Sequence, residues 1–174
     1  MNPQERAILQ TLDAALNQQS VITKIDPIVR QVESKLAQDR EALMAWETVP
    51  LAFYGERLPQ IIRSSWVFIL RARATTGAER HPNSHQRMIS YRGTGEMQVW
   101  RDEQWQSNLL VSRGDASLEN RWATIPPNIW HQAVVPEEDW VVVSFHTVPE
   151  QELIEERPDA TDPGLTHQRR YQEN

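Results

Sequence analysis

Glu79-Arg80-His81-Pro82-Asn83-Ser84-His85-Gln86, followed by residues 87–91 and the turn Gly93-Thr94-Gly95, is the stretch on which the reading of this 174-residue chain turns. On a strand, residues two apart face the same side, so Glu79 and His81 point one way together. Pro82-Asn83-Ser84 is a turn-forming run. Beyond it the chain re-enters a sheet, with Gln86, Met88 and Ser90 on one face and His85, Arg87, Ile89 and Tyr91 on the other. A second stretch, Ile125-Pro126-Pro127-Asn128-Ile129-Trp130-His131, likewise turns and then enters a strand at a histidine. One neutral imidazole from each of two neighbouring strands is the usual nucleus of a site for iron, zinc, nickel or manganese, and a carboxylate and an amide add oxygen ligands. The spacing therefore predicts a metal centre of Glu79, His81, Gln86 and His131, beside a substrate pocket of His85, Met88 and Ser90. A second register, with His85 in place of Gln86 facing inward, gives a three-histidine centre of His81, His85 and His131.

Outward from this stretch, the chain reads as many short strands. Residues 49–54, 61–70, 87–91, 96–101, 104–111, 121–125, 131–135 and 140–147 are rich in β-branched and aromatic residues. Turn-like separators, among them Asp102-Glu103, Ser112-Arg113-Gly114-Asp115 and Pro136-Glu137-Glu138-Asp139, lie between them. Strands at this spacing without intervening helices indicate an antiparallel sandwich or barrel. Ahead of them, Asn2-Pro3-Gln4-Glu5 is a helix start, with Ile8, Leu9, Leu12 and Leu16 on one face. Asp26-Pro27 marks a second start, followed by a stripe of Ile28, Val29, Val32, Leu36, Leu43 and Met44. The expected organisation is a helical extension over residues 1–47, a β-domain over 48–149 and a polar C-terminal arm over 150–174. His146 and His167 are expected at the surface, and Trp66, Trp100, Trp122, Trp130 and Trp140 in core and rim packing.

Composition excludes several chemistries. The net charge is −6 and no basic stripe is present, which argues against nucleic acid as a partner. There is no cysteine, so thiolate nucleophiles and cysteine-held metals are ruled out. No apolar run approaches a bilayer span and the first residues lack the pattern of a signal peptide, so a cytoplasmic protein with no membrane partner is expected. Phosphate-binding glycine loops and the Gly-x-Ser-x-Gly elbow are absent.

The two histidine stretches resemble the motifs of the cupins. The first motif of that family runs glycine, His-x-His, three or four residues, Glu, six residues, Gly. Glu79 stands at its first His, His81 at its second, Gln86 at its Glu and Gly93 at its closing Gly. The second, Pro-x-Gly-x-x-His, matches Pro126, Asn128 at the Gly position, and His131. The resemblance covers about residues 65–147. It implies a mainly β fold, a cupin-like double-stranded β-helix or jelly-roll barrel with the two N-terminal helices packed outside. It also implies a divalent metal ion, Fe2+ ahead of Zn2+, Ni2+ or Mn2+, and an oxygenase acting on a small-molecule substrate. Arg71, Arg73 or Arg87 would orient a substrate carboxylate if one of them points inward, the alternative being surface charge, and a homodimer would form through sheet edges. Glu in place of the first His motivates two alternatives: a non-catalytic small-molecule-binding or sensor cupin, and a metal-dependent isomerase or lyase using Gln86 and Glu79 as polarising group and base.

Overall fold

The computed structural model describes residues 1–56, 58–162 and 165–170. Helices α1 (Pro3–Leu16) and α2 (Gln19–Gln38) precede the strands β1 (Met44–Thr48), β2 (Ser64–Leu70), β3 (Gln86–Arg92), β4 (Thr94–Arg101) and β5 (Gln104–Val111). After a one-turn helix α3 (Leu118–Arg121) come β6 (Trp122–Ile125), β7 (His131–Val134), β8 (Trp140–His146), β9 (Ile154–Pro158) and β10 (Thr166–Arg170). One sheet has the order β1-β2-β8-β3-β6, the facing sheet β5-β4-β7, and β9 pairs with β10. Single bridges Thr75↔Val134 and Glu79↔His131 carry the second sheet onto the segment 75–80, and Arg80↔Glu156 joins that segment to β9. The fold is the expected jelly roll, mainly β with two N-terminal helices; its sheets face each other, and neither closes on itself among the described residues.

The two-residue period of the central strands builds three layers. Val67, Ile69, Val141, Val143 and Phe145 point to one side and pack against Leu9, Leu12, Val21, Ile25, Val29, Val32 and Leu36 of the helices. Trp66, Phe68, Leu70, Trp140 and Val142 point to the other side and pack against Met97, Leu110 and Ala133 of the facing sheet. Burial on both faces is why β2 and β8 read as unbroken apolar runs. Buried ion pairs tie α1 to this sheet: both nitrogens of the Arg87 fork reach Glu5 at 2.7 and 2.8 Å, and Asp13 accepts from Arg121 and from the Trp122 indole.

Three local readings are corrected. The second helix starts at Gln19 and runs through Pro27. Burying Val21 and Ile25 extends its apolar face, which offsets the hydrogen bond that an internal proline forfeits, and Asp26 accepts from the Tyr91 hydroxyl instead of capping. That helix ends at Gln38, so Met44 belongs to β1, the edge strand. Residues 51–54 form a 3-10 turn behind Pro50, whose fixed φ favours a helical turn, and Tyr54 is buried with its hydroxyl 2.7 Å from Ser65 Oγ.

The C-terminal arm is a β-hairpin laid beside the segment 75–80; Pro163 and Gly164 within it lie outside the described residues. Leu153 and Glu155 on it are fully buried. No helix among the described residues is long and apolar enough to cross a membrane.

Candidate metal centre

Glu79 and His131 lie opposite each other on the bridge between segment 75–80 and β7, each backbone N–H donating to the other's carbonyl at 2.9 and 2.8 Å. His81 follows two residues on. Its carbonyl accepts from the N–H of Asn128, which stands in the left-handed region at φ 65. Asn tolerates that conformation better than most residues, which explains how it fills the glycine position of the second motif. This hydrogen bond clamps the two motifs together. One ligating atom each from Glu79, His81 and His131 falls within 4.8 Å of the others.

Both imidazoles are oriented by their backbones. His81 Nδ1 donates to the Ile154 carbonyl and His131 Nδ1 to the Ile129 carbonyl, each at 3.0 Å. In the neutral ring that leaves the lone pair on Nε2, the arrangement in which metal-ligating histidines are commonly held. His131 Nε2 is buried without a hydrogen bond and lies 3.5 Å from Glu79 Oε1. A neutral imidazole so placed turns its lone pair toward a carboxylate oxygen, an arrangement that a metal cation, or a proton on Nε2, between the two would relieve. The separation is close to the ~3.4 Å that two ligands with bonds near 2.1 Å subtend at one tetrahedral ion. Gln86 donates its amide N–H to Ser144 Oγ at 3.2 Å, and its buried Oε1 has no partner. Glu79, Gln86 and His131 line one cavity of about 40 Å³, otherwise walled by Met44, Phe68, Leu70, Met88, Met97 and Val142. Two buried polar atoms without hydrogen bonds beside a carboxylate, in a set of two imidazoles and two oxygens, fit a first-row divalent metal.

Charge follows from burial and neighbours. Burial pushes the Glu79 carboxyl up, but the approach and charge of His131, then His81 and Arg157, outweigh it and hold it at about 2. Burial, aided by His131 and opposed by Glu79, depresses His81 to about 4. At neutral pH the cluster therefore offers an anionic carboxylate and an unprotonated His81.

The other site expectations resolve as follows. Met88 lines the cavity. Ser90 does not: its hydroxyl donates to the Gly93 carbonyl and accepts from the Trp140 indole, both at 2.9 Å. His85 sits beyond the wall, in a surface groove of about 490 Å³ that also takes in Asn2, Val99, Asn108 and Trp122; Met97 lines both spaces and separates them. The three-histidine register thus has no support from the strand's alternation, because His85 faces the helix side with Arg87. None of the three arginines faces the cavity. Arg71 donates to the carbonyls of Leu36, Asp39 and Ala42, closing the end of α2, Arg73 pairs with Glu137, and Arg87 with Glu5.

His146, expected at the surface, is buried. It stands edge-on to His81, ring centroids 5.2 Å apart, and edge-on to Trp66 at 5.0 Å. Its nitrogens meet Ser84 Oγ at 3.2 Å and Ser144 Oγ at 3.1 Å, so a buried polar string runs from Gln86 through Ser144 and His146 to Ser84. The signal was present in the sequence: a two-residue period puts Ser144 and His146 on the inward face with Trp140 and Val142. Burial first, then the neighbouring histidines, depress His146 well below its ordinary value. His81 and His146 thus stay neutral in the fold where the unfolded chain takes up protons. Stability is full above about pH 6.5 and falls as pH drops toward 4. Chelator-treated protein is expected to lose about 2 kcal/mol through His81 alone between pH 7.5 and 5, with His146 adding in the same direction. Urea midpoints at the two pH values check this, and His146→Gln should lose less than wild type; equal midpoints would contradict the neutral-histidine assignment.

No protein-family model matches the chain, and no curated protein matches it. Among solved structures it is similar to the coconut allergen cocosin, with TM-score 0.49, 18% identity, and coverage of 66% of this chain and 28% of that one. It is also similar to an oxalate oxidase in complex with the substrate analogue glycolate, with TM-score 0.46, 14% identity, and coverage of 62% and 52%. A third is the oxalate decarboxylase of Lactobacillus farciminis in its formate complex, with TM-score 0.47, 12% identity, and coverage of 62% and 29%. The chain thus spans about a quarter to a half of each of these proteins. The chain's own topology, two facing sheets with a polar cluster between them, is that of a jelly roll.

Proposed function

We propose that the protein is a metal-dependent oxygenase of cupin type, loaded with Fe2+, that acts on a small and largely apolar molecule. The observation that carries this reading is the two-histidine, one-carboxylate set of His81, His131 and Glu79, with the imidazoles turned by backbone carbonyls so that Nε2 is the acceptor nitrogen. That donor set with open positions is the one used by non-haem Fe(II) oxygenases. Gln86 Oε1 would serve as a further oxygen ligand or hold the substrate at the cavity floor. Bound there, the metal would supply Lewis acidity and activate dioxygen and substrate.

The chain's own part is selection. The cavity admits a ligand of a few heavy atoms, its walls are mainly Met, Phe, Leu and Val, and no arginine or lysine lines it. Small thiols and diketones suit such walls better than sugar acids. The small volume also supports a second reading, a non-catalytic cupin that senses a small ligand. Oxygen consumption by Fe2+-loaded protein with a panel of thiols, diketones, phenols and sugar acids separates the two. One small apolar class should draw down oxygen above the substrate-free rate. Iron-loaded protein that consumes none with any class leaves the sensor reading standing and sinks the oxygenase.

A further inference from the structure

The C-terminal hairpin lies outside both sequence motifs, yet it touches two of the three candidate ligands. Ile154, at the start of β9, provides the carbonyl that fixes His81. Three residues on, Arg157 Nη2 donates to Glu79 Oε2 at 2.6 Å. The same guanidinium donates through Nη1 to the Thr76 carbonyl at 3.0 Å and through Nε to Glu155 Oε1 at 2.6 Å. Its three nitrogens are therefore anchored on three separate groups, and its plane is fixed by them.

Two consequences follow for Glu79. Only Oε2 is held, so Oε1 is left turned toward His131 Nε2 at 3.5 Å. A carboxylate gripped on one oxygen can give a metal its other oxygen alone, which keeps further coordination positions open. Moreover, Arg157 does not neutralise Glu79 outright, because its charge is shared with Glu155, which is itself fully buried and also paired with Arg169 at 2.8 Å. The ladder Glu79, Arg157, Glu155, Arg169 alternates in sign and sums to zero. Glu79, at its inner end, is paired with one arginine where Glu155 is paired with two, so it is the less neutralised carboxylate and the one placed to take a cation.

We propose that Arg157 is a positioning residue of the metal centre, and that β9 is the wall that orients Glu79 and His81 for one-oxygen, Nε2 ligation. This rests on the metal reading above. The test is uptake of Co2+ by chelator-stripped protein, followed by its visible absorption bands, with Fe2+ titrated anaerobically by calorimetry. Arg157→Met should weaken binding by ~10–100-fold, the usual effect of losing such an outer partner, and shift the Co2+ bands as Glu79 is freed. Arg157→Lys, which keeps one charged donor, should recover part of the affinity. In a Glu79→Gln background, Arg157→Met should add little, because its route to the metal is gone. Unchanged affinity in Arg157→Met, or a full additional loss in the Glu79→Gln background, overturns the proposal while leaving the metal centre intact. Wild-type protein that takes up neither ion overturns the metal reading, and this inference with it.

Discussion

His131→Ala protein, purified without chelator, is expected to carry almost no metal, whereas wild type carries a bound divalent ion. His131 is the most committed of the candidate ligands. Its Nδ1 is used on the Ile129 carbonyl, its Nε2 is buried without a hydrogen bond, and the nearest counterpart is the Glu79 carboxylate. Removing it leaves Glu79 and His81 on one segment with nothing from the facing strand. The loss should exceed the ~10–100-fold typical of outer partners. His81→Ala should act alike, because it also removes a nitrogen whose orientation is set by a backbone carbonyl. His167→Ala is the control, as that histidine is exposed and paired with Asp159 far along the hairpin. Metal content by elemental analysis, with circular dichroism to confirm folding, reads the result. Retained metal in both His81→Ala and His131→Ala would end the assignment.

The second large effect concerns the wall and not the ligands. Gly95, the second residue of β4, lies against the indole of Trp140, and a Cβ placed on it would lie 2.1 Å from one ring carbon and within 2.6 Å of two more. The ring cannot step aside, since Trp140 is wholly buried and its N–H is held by Ser90. Gly95→Val would favour a strand on propensity alone, yet here it should cost about 3 kcal/mol or more, the upper range for overpacking a core. Gly114→Val is the comparison, since nothing lies within 4 Å of the Cβ it would gain. Urea denaturation should show a large drop in midpoint for the first and little for the second. Similar midpoints would mean that Trp140 is not the fixed neighbour described.

Much of this protein was legible from local pattern. The order of strands β2 to β8 followed from β-branched and aromatic runs separated by turn residues, since the signals that start and stop a strand lie within a few residues of it. Asp102-Glu103 turned out to be a two-residue hairpin loop with both residues at positive φ, as the twist of paired strands favours. Where the sequence misled, longer-range burial had overruled a local signal, as at Pro27, which reads as a helix start but lies inside a helix held by its apolar face. His146 was misplaced for a related reason. A histidine at the end of a strand looks like a surface residue until the partner strands that cover it are known.

The site divides along the same line. That Glu79, His81 and His131 meet, with Gln86 on the same cavity as Glu79 and His131, was legible in the spacing, because a strand's two-residue period and the intervening turns fix which side chains share a face. His131 is oriented locally, by the Ile129 carbonyl two residues back, but tertiary structure decided what orients the others. The Ile154 carbonyl on His81, the Arg157 fork on Glu79 and the Ser144 hydroxyl on Gln86 all come from strands 58 or more residues away in the chain. Such contacts leave no periodic trace in sequence, because they depend on which strands the fold brings side by side.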